Sequence, residues 1–98
     1  MRTIEHPEIA VELITLIHQS GEQPLLDLTL HTGEVIKGVR ILPGMSYCQP
    51  QQLVRILVVD TEGQEHHLYW FRGIEPGCYQ DLKAIVQLTV HDDDQESP

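Results

Sequence analysis

The chain has 98 residues, 41 % of them hydrophobic and 21 % charged, which is room for one hydrophobic core and too little for two. That balance excludes general disorder, and nowhere do the roughly 18 apolar residues needed to span a membrane run together. The formal charge of −9 is uneven: residues 24–91 hold seven acids against five bases, residues 1–23 hold four acids against Arg2, and the end from Asp92 to Glu96 adds four more acids. A broad basic footprint for non-specific nucleic-acid binding is thereby excluded, while a local contact on the nearly neutral body is not.

In chain order, the opening MRTIEHPEIA has no apolar core of a signal peptide and no cleavage-like site, so a cytoplasmic location is expected. Pro7 followed by Glu8 and an apolar-rich run to Gln19 predicts a helix over about 7–19. Proline suits a first turn, acids suit the N-terminal end, and Gly21 stops it. Ile9, Leu13, Leu16 and Ile17 fall on one stripe. Val11 and Ile14 widen it, and His6 is a weak candidate cap.

From Pro24 the periodicity changes to two. Leu26, Leu28 and Leu30 alternate inward on a first strand, and His31-Thr-Gly33-Glu34 reads as a compact hairpin turn, with Gly33 suited to a positive φ. Val35–Leu42 forms a second strand that ends at Pro43-Gly44. Residues 43–52, PGMSYCQPQQ, carry two prolines and no alternation and are expected to be a long loop. Leu53–Asp60 is a third strand with a turn at Asp60-Thr-Glu-Gly63. Gln64–Arg72 is a fourth, Gly73, Pro76 and Gly77 interrupt the chain, and Leu82–Val90 is a fifth. One helix before five short, tightly connected strands predicts a mainly β domain, a small closed barrel over about 25–90 within a single domain 1–91, followed by an acidic disordered tail at 92–98.

Chemistry-bearing residues are few. Cys48 and Cys78 are too far apart for a local zinc or redox motif, so two buried thiols are expected, with a disulfide as the other reading. His66 and His67 point to opposite faces of a strand and cannot share a local metal site. The tail lacks the glycine and distal glutamate of a calcium loop. Cys48 has no nearby basic group to activate it, and no phosphate-cradling glycine loop is present. No enzyme activity, cofactor or metal is expected. Tyr69, Trp70 and Phe71 alternate across a strand: either Tyr69 and Phe71 are inside and Trp70 outside, or the reverse.

The run Leu28-Thr-Leu-His-Thr-Gly33-Glu-Val-Ile-Lys-Gly38-Val resembles the first block of the Sm-like proteins, which include bacterial Hfq, and Phe71-Arg72-Gly73-Ile74 is similar to the Arg-Gly element of their second block. The resemblance covers residues 8 to about 90. It implies a leading helix and a strongly bent five-stranded antiparallel barrel of the SH3-like, Sm-like kind, with Gly38 as the bend. It also implies assembly into a homo-oligomeric ring through the fourth and fifth strands and contact with RNA or a ribonucleoprotein partner. Arg72, Gly73, Trp70, Tyr47 and His31 are the contact residues expected on that basis. The chain departs from the family where residues 43–52 lack the Asp or Asn of the RNA-binding loop, and the Lys-His pair of the Hfq type is absent from the fourth strand. A second resemblance is to the small, acidic, helix-led Rho inhibitors of the Rof type. This implies the alternative: an acidic, protein-binding regulator, monomeric or dimeric, acting on a basic nucleic-acid-binding protein.

Overall fold

The computed structural model describes residues 1–5, 8–49, 53–72 and 83–91. Helix α1 runs Ile9–His18. Ile9, Leu13 and Leu16 are buried on its inner stripe, Ile14 and Ile17 pack partly against the same core, and Val11 faces outward, 67 % exposed. The helix stops because Gln19 turns extended, and the chain folds back so that the buried Gln23 donates its Nε2 to the Leu16 carbonyl at 2.8 Å. Gln23 in turn accepts Arg40 Nε on its main-chain oxygen at 3.1 Å, which ties the end of the helix to the sheet.

Among the described residues there are seven strands, β1 Arg2–Glu5 before the helix and, after it, β2 Leu25–Leu30, β3 Val35–Ile41, β4 Tyr47–Gln49, β5 Leu53–Val59, β6 Glu65–Phe71 and β7 Ile85–His91. They form one sheet in the order β1-β7-β2-β3-β5-β4, with β6 on the other edge of β5. The named strand pairs are antiparallel. The sheet curls far enough that β6 meets the start of β7 in a single parallel bridge between Tyr69 and Ala84. The result is a half-barrel around one core, with α1 touching β1, β5 and β7.

The curl originates in β3. Leu26 opposes Val39 and Leu28 opposes Ile36, so three steps on β3 answer two on β2. The extra residue is accommodated at Gly38, whose φ of +69° is one that side chains bearing Cβ avoid. Asp27, between the two paired leucines, accepts the Gly38 N–H at 3.0 Å. The first half of β3 therefore stays with β2, while Arg40 and Ile41 pair with Val59 and Val58 of β5.

Period-two alternation sets what lies inside. Leu26, Leu28, Leu30, Ile36, Val39, Ile41, Val54, Ile56, Val58, Leu68, Trp70, Ile85, Leu88 and Val90 are buried with the helix stripe in one cluster. Each such side chain removed from water contributes about 1.5–3 kcal/mol before the ordering cost.

The predicted bent barrel with an N-terminal helix is observed as this half-barrel, but the strand count of five is corrected: the described residues form seven strands. β1 was unforeseen because Arg-Thr-Ile-Glu has a single apolar residue with which to alternate; it is held by main-chain pairing, Arg2 to Val90 through Glu5 to Gln87. β4 lies inside the stretch predicted as a loop. There Pro43–Met45 makes a short 3-10 turn and Tyr47–Gln49 pairs with Arg55, Val54 and Leu53. Three residues are too few for a periodic signal between two prolines. The helix is shorter than the predicted 7–19, and His6 and Pro7 lie outside the described residues.

Candidate binding face

The outward side of β4, β5 and β6 carries the arrangement with most chemical content. Tyr47 on β4 opposes Arg55 on β5, and Arg55 opposes Tyr69 on β6, so the three side chains stand in one row across three strands. In the next row along β5 and β6, Leu53 opposes Phe71. Strand alternation places Val54, Ile56, Leu68 and Trp70 on the core side and these residues on the other. The Arg55 guanidinium lies 5.9 Å from the centre of the Tyr47 ring, within cation–π range. The rings of Tyr69 and Phe71 stack with centres 5.8 Å apart and planes 14° from parallel. Tyr47 is 47 % exposed, a large fraction for an aromatic side chain on a short strand.

The electrostatics of this face differ from the rest of the chain. Between Glu34 and Asp60 there is no acid, but there are Lys37, Arg40 and Arg55; Arg72 follows at the exposed end of β6. That segment supplies β3, β4 and β5, but of its bases only Arg55 stands in the row: Arg40 reaches the Gln23 carbonyl and Glu22, Lys37 lies near Asp27, and Glu65 shares the outward side of β6.

Of the five predicted contact residues, Tyr47 is on this face and Arg72 is exposed at the end of β6. Trp70 is not available: it is 3 % exposed and its ring belongs to the core, so its role as a contact residue is corrected and the inside-outside alternative is decided for Tyr69 and Phe71 outward. Trp70 opposes the buried Val54, and only inward placement buries the largest side chain of the strand. His31 sits at the β2–β3 turn, outside the row, its main-chain N–H bonded to the Ala84 carbonyl just before β7 at 2.8 Å. Gly73 lies outside the described residues, as do Cys78 and the tail 92–98. Arg55, Tyr69 and Phe71 complete the face. The acid-free run and the odd-numbered spacing of 53, 55, 69 and 71 were the signals that could have found them.

Two carboxylates shape the rims. Burial pushes the Asp27 carboxyl up, but the His91 contact at 2.8 Å, the Gly38 N–H and the nearby His91 and Lys37 charges outweigh it and hold Asp27 below the ordinary aspartate value. Asp60 is held low by its 3.1 Å contact with His66 and by the N–H of Gln64, with Glu62 N–H adding to them against a little burial. His66 thus serves the β5–β6 turn while His67 is exposed on the opposite face, as the alternation required. Cys48 is half-buried, a free thiol packed against the core, rather than fully buried.

β1 also bears on assembly. It occupies the edge of β7 through which the predicted ring would pair fourth and fifth strands, so that pairing is not open in this arrangement. Arg2 fixes β1 to the helix by a two-pronged contact with Glu12, at 3.0 and 3.2 Å. No described helix is long and apolar enough to cross a membrane.

Fold and face together define a small helix-led β half-barrel with one aromatic and basic side. No family model, no curated protein and no solved structure matches the chain.

Proposed function

We propose that this protein is a non-enzymatic binding module of the Sm-like kind that contacts RNA, free or within a ribonucleoprotein, and does so without a ring built through β7. The observation that carries the reading is the row Tyr47–Arg55–Tyr69, in which a cation stands between two aromatic rings and whose Tyr47 and Arg55 come from the acid-free stretch 35–59 of an otherwise acidic chain. Aromatic rings and arginine are the side chains with which proteins hold unpaired bases and the phosphates beside them. The test is titration of a fluorescent single-stranded uridine oligomer with the full chain at low salt, where phosphate contacts are strongest. Saturable binding that weakens as salt rises is expected. Absence of binding at low salt overturns the reading.

A second reading, the acidic regulator of a basic nucleic-acid-binding protein, is favoured by a different observation. Glu22, well exposed, lines a groove of about 290 Å³ together with Arg2 and the Glu12 that Arg2 pairs with, and Glu5 and Glu8 add acidity at the same end of the chain. Under it, an oligoarginine peptide binds the chain and the triple variant Glu5→Gln, Glu8→Gln, Glu22→Gln weakens that binding. An unchanged affinity sinks this alternative.

A further inference from the structure

The outward row on β4, β5 and β6 has a geometry that goes beyond a general RNA contact. We infer that Tyr47, Arg55 and Tyr69 form a stacking site for consecutive unpaired bases, single-stranded nucleic acid running across the strands and recognised by ring faces and phosphates rather than by base edges. This rests on the RNA-binding reading above and names where and how that binding takes place.

The first support is spacing. Neighbouring strands are about 4.8 Å apart, so Tyr47 and Tyr69, two strands apart, leave a gap of about 10 Å with Arg55 between them. That arrangement places a cation between two aromatic platforms, matching a strand whose charges alternate with its bases. The second is order within the platform. Arg55 holds the Tyr47 ring from one side at 5.9 Å, and Phe71 holds the Tyr69 ring in a near-parallel stack, so both rings are oriented before a ligand arrives. The third is charge complementarity. Arg55 stands on this side within residues 35–59, a stretch with no acid, and the outward acid of β6, Glu65, lies at the opposite end of the strand from Phe71, so charge favours a polyanion at the Arg55 end of the face and not at the Glu65 end. The fourth is the type of polar group present. Besides Arg55, the neighbouring outward positions are Gln49, Leu53 and Phe71 in one adjoining row and Leu57, itself buried, and His67 in the other, which offer stacking, apolar contact, one amide and one imidazole. Such a set grips any base by its face and discriminates weakly among them.

The experiment measures binding of fluorescent 12-nucleotide uridine RNA, thymidine DNA and a duplex of equal length to the full chain and to four variants. Tyr47→Ala is expected to weaken the single strands by about five- to a hundredfold, and Tyr47→Phe to restore most of that loss because the ring remains. Arg55→Gln is expected to weaken binding and flatten its salt dependence by about one phosphate contact. Lys37→Gln removes the same charge from β3 with a much smaller effect. Tyr47 is exposed on a three-residue strand, and an unchanged Trp70 emission verifies that each variant is folded. Uridine and thymidine oligomers bind alike, and the duplex binds less well.

If the wild type binds single strands but Tyr47→Ala and Arg55→Gln leave affinity unchanged, the site is overturned while the RNA-binding reading stands. Equal losses for Lys37→Gln and Arg55→Gln with none for Tyr47→Ala reduce the face to bulk charge and equally overturn it. A polyglutamate peptide of the same charge that binds as tightly as the oligonucleotide transfers the face to an acidic protein partner. If the wild type binds no oligonucleotide at low salt, it is the RNA-binding reading that falls.

Discussion

Asp27 Oδ1 accepts the Gly38 N–H at 3.0 Å while Oδ2 of the same carboxylate lies 2.8 Å from His91 Nε2. One side chain thereby joins the bulge of β3 to the last residue of β7, the strands on either side of β2. The curl of the half-barrel depends on that bulge, so three strands share one electrostatic anchor.

Acidification tests the anchor. Because Asp27 and Asp60 are held below the ordinary aspartate value, their contribution to stability is complete above about pH 4 and is lost as pH falls through their folded values. Urea unfolding of the wild type from pH 6 downward is expected to show stability falling below about pH 4. Asp27→Asn flattens part of that fall, and Asp27→Ala, which also leaves the Gly38 N–H without its acceptor, lowers stability at neutral pH by about 1–3 kcal/mol. A pH profile identical to wild type in Asp27→Asn contradicts the assignment.

Gly38 is a backbone requirement and not a packing one. A Cβ built there meets only Thr61 Cγ2, at an ordinary 3.8 Å, so space is available and the cost of Gly38→Ala is the left-handed conformation, about 1–2 kcal/mol. Gly38→Asn, which tolerates that region better, is expected to lie between alanine and wild type. Chemical denaturation of the three proteins gives the ranking. Equal stability of all three removes the bulge as a strained point.

Trp70 and Tyr47 predict opposite phenotypes. Trp70→Ala empties part of the core and costs about 3–5 kcal/mol, whereas Tyr47→Ala stays within about 0.5 kcal/mol of wild type and acts on ligand binding. The emission of Trp70, the single tryptophan of the chain, is expected to be blue-shifted and poorly quenched by acrylamide. A red, readily quenched emission places the indole outside and reverses the face.

The mass in solution reports on β1. With β1 paired to β7, light scattering after size exclusion is expected to give the mass of one 11.2 kDa chain at low and raised salt. A salt-resistant closed assembly means that β1 has left the edge of β7, and the ring returns as the mode of action.

Much of the architecture was legible because it depends on local patterns. Leu26, Leu28 and Leu30 alternate with polar neighbours, Ile9, Leu13 and Leu16 recur at helical spacing, and the turns at Gly33 and Gly63 carry the residues such turns need. The candidate site was only half legible. Tyr47 and Arg72 stood out as types, whereas Arg55 was marked only by its place in the acid-free run and its alternation with the buried Val54 and Ile56, which does not say what stands beside it. The choice between Trp70 and its neighbours depended on which side of β6 met β5.

The sequence by itself determined a mainly β chain with one helix near its N-terminal end, its turns and a charge pattern with acidic ends, since all of these arise from periodicity, glycine placement and composition within a few residues; the bend at Gly38 came with the Sm-like resemblance. Only the tertiary structure decided that Arg2–Glu5 closes the edge of β7, that Tyr47, Arg55 and Tyr69 stand in one row, and that Asp27 joins Gly38 to His91. Those relationships link residues up to 88 positions apart, Arg2 with Val90 being the longest. Their physical basis is strand register, which follows from how the whole core packs and not from any single window of the chain.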